Sequence, residues 1–389
     1  MYKTVSSRLT AQFNVDGSHL KRYLDRSPII TKSFCEDLIL HDQILVPTQD
    51  YLTACGLILI LGENGFIELL ERDKLKFIRT RSGFGFLSGK GPAEIGIFGD
   101  PGNQRPLDSP IEQSASAGLS VIQGNIKNKK KLHELIVQNS VPIEWSAILE
   151  AIKKESIKDL KFTQTWKPEY ESNNPNYILL PKLADNKVNV QVMGSKLDPQ
   201  NRISDTLLAL TQYNSDLFLA DKFNCQNISP CYPIGDLLEI KKKRIEQEIG
   251  DTENLWFLFE VNGVPDLSQL VLSHELTMSK LLKVVTNKNS IDFRKWFHEN
   301  QKLNEKELLR EYLEILKQVP ITQKLPAKSL RFIVTTVLGF VPVAGQIAGF
   351  FDSFIIEKLF KGRSPKFFID DITKATGSIK LHRDRDAHH

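Results

Sequence analysis

The stretch from Gln43 to Arg81 constrains the fold most. Gln43 to Pro47 is a compact apolar run of strand length, and Tyr51 to Leu61 is apolar on nearly every face, so a helix there has to be buried all round. Gly62, Glu63, Asn64 and Gly65 break that helix. Phe66 to Leu75 reads as a second helix with Leu69 and Leu70 inward, and Lys76 to Arg81 has the β-branched and aromatic content of a strand. Together with the helical pattern from Ser33 this is an α/β unit. A helix without a polar face needs a substantial core around it, and 389 residues with 41% apolar side chains can supply one.

The rest of the chain extends this unit into an α+β, mostly helical protein. From Ser82 to Gly102 glycine recurs at 83, 85, 89, 91, 96, 99 and 102 with Phe84, Phe86, Ile95, Ile97 and Phe98 between, the pattern of a glycine-rich β-hairpin. A polar, proline-bearing loop over 101–117 then marks the end of an N-terminal α/β domain, 1–125. A mixed middle region, 126–250, carries a basic helix over Asn128 to Gln138, a helix over Trp145 to Leu160, a hairpin in which Tyr177 to Leu180 faces Val188 to Val192, and helices from Ser204 and up to Gly250. The remainder, 251–389, reads as a helical domain, clearest in Asn304 to Val319 with Leu308, Leu309, Tyr312, Leu313 and Leu316 on one stripe.

Charge narrows the function classes. The 51 Lys and Arg against 47 Asp and Glu leave +4, too little cationic surplus for a protein that lives on phosphate neutralisation, so nucleic acid is not the expected partner. Cys35, Cys55, Cys225 and Cys231 are too scattered for a disulfide framework and fit buried thiols in a reducing cytoplasm. Met1 to Asn14 has no apolar core of a signal peptide, which again points to the cytoplasm. No cysteine or histidine spacing matches a zinc site, and no cofactor is implied.

Three segments invite chemical readings. Gly85 to Gly91 contains Gly89-Lys90 but has Phe84 where a phosphate-binding loop needs glycine, and Gly91 where it needs Ser or Thr. Asp236 with Glu239-Ile240-Lys241 has a spacing used by metal-dependent nucleases, yet Leu237 to Ile249 is helical in period and Lys241, Lys242, Lys243 and Arg244 read as a solvated face. His41-Asp42, just before the buried strand, is the polar pair of most interest, because strand ends are where active sites are often built.

A fourth segment raises a different question. Phe332 to Phe351 holds only Thr335, Thr336 and Gln346 as polar side chains and has the length of a membrane span. Pro342, with Gly339 and Gly345 around it, breaks it into two arms, neither long enough for a bilayer core of about 30 Å. The second arm turns amphipathic, with Ile347, Phe351, Phe354 and Ile355 opposite Asp352 and Glu357. Residues 326–361 are therefore expected to form two helices meeting near Pro342, and Phe340, Val341, Pro342, Phe350 and Phe351 form the element that either faces a partner or enters a membrane conditionally.

Phe293-Arg294-Lys295-Trp296-Phe297, Val341-Pro342-Val343-Ala344-Gly345 with Phe351-Asp352-Ser353-Phe354, and Pro365 to Asp371 resemble uncharacterised bacterial proteins of phage-defence neighbourhoods, over the last hundred or so residues. The resemblance implies a bacterial cytoplasmic protein of antiviral defence and carries no catalytic residue. Three functional classes follow in order: a non-enzymatic sensor or adaptor with a protein partner, a membrane-perturbing effector using the 332–351 hairpin, and a metal-dependent nuclease or other enzyme whose site is assembled only in three dimensions.

Overall fold

The computed structural model describes residues 1–10, 19–48, 51–80, 83–87, 93–98, 109–122, 126–143, 151–152, 155–156, 158–159, 177–180, 202–230, 241, 244, 256–265, 267–299, 327–335 and 371. The chain opens with β1 (Lys3–Ser6) and a 3-10 turn over Ser7–Leu9, then runs through α1 (His19–Asp25), α2 (Ser27–Leu40), β2 (Gln43–Thr48), α3 (Leu52–Leu61), α4 (Glu63–Glu71) and β3 (Leu75–Arg79). Next come β4 (Gly83–Leu87), β5 (Ala93–Phe98), α5 (Ile111–Ser120), α6 (Lys129–Gln138), β6 (Ser140–Pro142) and β7 (Tyr177–Leu180). The C-terminal half contributes α7 (Arg202–Lys222), β8 (Asn227–Ser229), β9 (Trp256–Pro265), α8 (Leu267–Leu272), α9 (Met278–Val285), α10 (Lys288–Glu299) and β10 (Ala327–Thr335).

Five strands form a sheet in the order β6-β3-β2-β1-β8, with every neighbouring pair parallel. Parallel neighbours need crossovers, and the helices between the strands provide them. The chain steps outward from β1 through β2 and β3 to β6, then returns past its starting strand to place β8 on the other side of β1. That reversal makes the β1–β8 boundary the topological switch point of the sheet. The expected glycine-rich hairpin is present as β4 and β5, paired antiparallel. Its third strand is β7, which lies against β5; the expected partner of Tyr177 to Leu180, Val188 to Val192, falls outside the described residues.

Period-two alternation divides the sheet's side chains between two faces. Ile44 and Val46 of β2 with Leu75 and Phe77 of β3 point into the main core, which also holds Phe34 and Leu38 of α2, Leu57 of α3, Phe66 and Leu70 of α4, Leu132 and Ile136 of α6, and Leu281 and Leu282 of α9. Val5, Leu45, Ile78 and Ile228 are equally buried on the alternate positions, and α7 packs on β1 and β8. The all-round apolar helix is α3, and it is enclosed as its composition requires, with Leu59 its one strongly exposed large apolar side chain. Gly62, at φ 76°, ends α3 and starts α4 in a backbone region that favours glycine. The two helices meet at 115°, and among the described residues no single helix is long and apolar enough to cross a membrane.

The sheet draws strands from both sides of residue 125, since β6 and β8 lie beyond it. The C-terminal region is not all helical, because β9 and β10 form an antiparallel ribbon with Phe332 opposite Phe259. Phe332 therefore starts no helix: the β-branched run Phe332-Ile333-Val334-Thr335 pairs in register with Phe259 to Trp256, and that ladder decides an apolar run that carries no period of its own. Residues 336–361, including Phe340, Val341, Pro342, Phe350 and Phe351, lie outside the described residues, as do Asn304 to Val319.

Candidate functional site

In parallel α/β sheets ligands and reactive groups collect beyond the carboxyl ends of the strands at the switch point. Here that place is where β1 and β8 end side by side, with Ser6 in register with Ser229. Ser6 and Ser7 are consecutive, so the pleat and the turn after it send them to opposite faces. Ser6 Oγ donates to Asp37 Oδ2 of α2 at 2.6 Å, and Ser7 Oγ donates to Asp216 Oδ2 of α7 at 2.6 Å. Two adjacent serines thus tie β1 to a carboxylate in each of the flanking helices.

The α2 side is the more crowded. Ser229 Oγ donates to Asp37 Oδ1 at 2.5 Å, and the Arg8 guanidinium forks between Asp37 Oδ1 at 3.3 Å and Glu36 Oε2 at 3.1 Å. Burial pushes the Glu36 carboxyl above its ordinary range, against the pull of Arg8 and of Lys32 at 3.8 Å. On the α7 side the partners of Asp216 are neutral, Ser7 and Gln212, and burial pushes its pKa up to about 7. A carboxyl buried without a cation keeps its proton to near neutrality.

Two residues before Asp216 on α7, Asn214 joins a second buried polar group. Asp159, fully buried, accepts from Lys241 Nζ at 2.9 Å, Arg244 Nε at 2.6 Å and Asn214 Nδ2 at 3.0 Å. Glu155 completes it through Arg244 at 2.5 Å and Lys241 at 3.5 Å. Burial lowers the Lys241 ammonium, with Asp159 and Glu155 acting against that fall. Burial would raise Glu155, but Lys241, Lys158 and Arg244 outweigh it and hold the carboxyl below its ordinary range. The expected solvated face at Lys241 and Arg244 is therefore corrected: both are buried, because two carboxylates from a distant segment neutralise them. Tyr213 lies between the two clusters, its phenol pushed well up by burial and by the charges of Asp159 and Asp216.

His41 and Asp42 sit at the opposite edge, where the strands begin. His41 is buried; its Nδ1 faces the Asp37 carbonyl at 3.0 Å, and its Nε2 faces Asn227 Nδ2 at 2.8 Å. A carbonyl can only accept, so Nδ1 carries the proton and the Nε2 lone pair accepts from the amide. Burial pushes the imidazole down to about 3. Asp42 Oδ2 accepts from the Tyr2 amide at 2.8 Å and Oδ1 from Arg294 Nε at 2.9 Å. Burial would raise its carboxyl, but the Tyr2 amide, Arg294 and Lys74 outweigh that and hold it low. Arg294, in turn, donates to the carbonyls of Ile39 near the end of α2 and Val285 at the end of α9. One guanidinium closes two helix C-termini, where backbone carbonyls lack partners and positive charge is favoured.

Sequence reasoning passed over Ser6, Ser7, Asp37, Asp216 and Ser229, which carry no motif; only strand order brings them together. The buried thiols expected from cysteine usage are present at Cys35, Cys55 and Cys225, the last pushed by burial to about 12. Among the described residues no three His, Cys, Asp or Glu side chains converge in a way that could hold a metal ion. The protein is helix-rich α+β, and its five-stranded parallel sheet carries a carboxylate and hydroxyl cluster at the switch point. Comparison with protein-family models, with curated proteins and with solved structures gives no match.

Proposed function

We propose that the protein is a sensor or adaptor of bacterial antiviral defence that works in the cytoplasm by contact with another protein rather than by turning over a substrate. One observation carries this reading: at the switch point, where an enzyme of this architecture presents its reactive groups, Ser6 and Ser229 are buried and bonded to Asp37 on one face, and Ser7 to Asp216 on the other. Such a network rigidifies the junction of sheet and helices and offers no nucleophile to solvent. The nuclease alternative has less support, since Lys241 of the Glu239-Ile240-Lys241 run is spent on Asp159 and Glu155. The membrane alternative depends on the 332–351 hairpin, of which 332–335 belong to strand β10 and the rest lies outside the described residues.

The test is plaquing efficiency on bacteria expressing the protein with its genomic neighbours. Ser7→Ala and Ser229→Ala that keep the wild-type melting temperature should keep protection. A loss of about a hundredfold or more at unchanged melting temperature, the scale of a missing catalytic group, would sink the adaptor reading in favour of an enzyme.

A further inference from the structure

Helix α10 begins without the acid that its dipole favours. Asn287 caps it, its Oδ1 accepting from the Ser290 amide at 2.8 Å, but the first turn holds no Asp or Glu and opens on the exposed Lys288. The carboxylate comes instead from a residue 84 positions beyond Asn287. Asp371 Oδ2 accepts from Asn287 Nδ2 at 2.9 Å and from Asn289 Nδ2 at 2.7 Å. A Glu in the first turn would be the local solution, and it would leave the helix self-sufficient. Taking the acid from afar makes the negative charge at this helix end depend on where residue 371 lies. Departures from local consistency of this kind are expected at functional positions.

The contact differs in kind from three others that tie distant segments together through an aspartate. Asp42 meets Arg294, Asp37 meets Arg8, and Asp159 meets Lys241 and Arg244. Asp371 meets two neutral amides through one oxygen, it is half-buried, and among the described residues no Lys, Arg or His pairs with it. Only the acceptor is charged and water reaches it, so the contact holds without locking. The corner it rests on is fixed by other means. Ser290 Oγ donates to the Val284 carbonyl at 2.6 Å, and Arg294 Nη1 to that of Val285 at 2.8 Å. The contact can therefore open while the joint between α9 and α10 stays closed.

We propose that Asp371 closes a releasable clasp: in the resting protein it tethers the chain at residue 371 to the head of α10, and opening of that clasp, with the parallel sheet intact, is the conformational step by which the protein signals. This rests on the sensor reading above for what the opening does, and on the contacts of Asp371 alone for the opening itself. A permanent structural tie suits these contacts less well, because it would be expected to carry a cation, as Asp42, Asp37 and Asp159 do, or to be sealed from water, as Asp216 is.

The experiment uses the full chain, with hydrogen–deuterium exchange read on the peptide containing Asp371 and on the peptide of β2, beside plaquing efficiency. Asn289→Asp puts a carboxylate where the helix dipole favours one, yet sets it against Asp371 with like charge. Its melting temperature should stay level or rise, while exchange at residue 371 accelerates about tenfold or more and β2 keeps the wild-type rate. A purely structural cap would not give that combination. Asp371→Lys added to Asn289→Asp should restore slow exchange with the signs reversed. Asn289→Lys gives Asp371 a charged partner, so it should slow exchange below wild type, lose that gain in high salt, and cut protection about tenfold or more by holding the clasp shut. The proposal is overturned if Asn289→Asp leaves exchange at residue 371 unchanged, if β2 accelerates with it, or if Asn289→Lys protects as well as wild type. Failure of the sensor reading shows separately, as loss of protection in Ser7→Ala and Ser229→Ala with exchange at residue 371 at its wild-type rate.

Discussion

The two edges of the parallel sheet treat buried charge in opposite ways. At the N-terminal edge each charge meets its complement: Asp42 meets Arg294, Arg294 also meets two helix ends, and His41 is kept neutral by burial. At the C-terminal edge Glu36, Asp37 and Asp216 gather around hydroxyls, with Arg8 as the close cation on the α2 side and neutral donors on the α7 side. The first edge is built as a latch between the sheet and the helices α9 and α10. The second stores acid at a place where no cation compensates it fully. One fold can thus hold both a settled and an unsettled ionic edge, and the difference is measurable as pH dependence.

The latch should yield the largest effect. Arg294→Ala removes a buried guanidinium and leaves Asp42 and the carbonyls of Ile39 and Val285 without it, and denaturant unfolding should register a loss of about 3–5 kcal/mol. A loss below about 1 kcal/mol would show that the N-terminal edge is not the settled one.

Asp216 gives the next effect. Its folded pKa of about 7 lies above the ordinary 3.8, so its contribution is whole below pH 4 and is lost as pH rises to about 7. Asp216→Asn should remove one proton's worth of slope, about 1.4 kcal/mol per pH unit, from the stability profile over that window and be more stable than wild type at pH 8. Equal slopes would mean that Asp216 is already ionised.

His41 has the opposite sign. Its folded pKa of about 3 lies below the ordinary 6.5, so its contribution is present above pH 6.5 and lost as the solution is acidified toward pH 3. Between pH 4 and 6.5 the two groups oppose each other, so His41→Gln should unmask the Asp216 slope just as Asp216→Asn unmasks that of His41. A double variant with the same profile as either single one would break the comparison.

The smallest effect belongs to the exposed surface. Lys130→Ala removes a 3.9 Å pair whose lysine side chain is 93% exposed and should change the melting free energy by less than about 0.5 kcal/mol. Its measurement calibrates the other three.

Much of the core was legible in the sequence, because burial there follows local pattern. Tyr51 to Leu61 has no polar face and became the enclosed helix α3; Gln43 to Pro47 became the fully buried β2; the glycine run became β4 and β5. The same local reasoning failed where partners come from far away. Lys241 and Arg244 read as solvated because their carboxylates, Glu155 and Asp159, stand more than eighty residues earlier. Phe332 read as helical because its apolar run carries no period, and its strand partner Phe259 supplied the deciding information.

The sequence by itself determined which segments must be buried, that Gly62 ends a helix, that the cysteines are buried thiols where they are described, and that cations crowd the start of α6. Those are properties of composition and of spacings within one turn or one pleat. Only the tertiary structure decided that β8 returns to the far side of β1, and with that return came the register of Ser6 with Ser229, the shared Asp37, the placing of Asp216 against Ser7, and the assignment of His41 to the edge away from the switch point. The reason is physical: the crossover that carries the chain from β6 to β8 is fixed by how the helices cover both faces of the sheet, and no local preference records which side of β1 the returning strand will take.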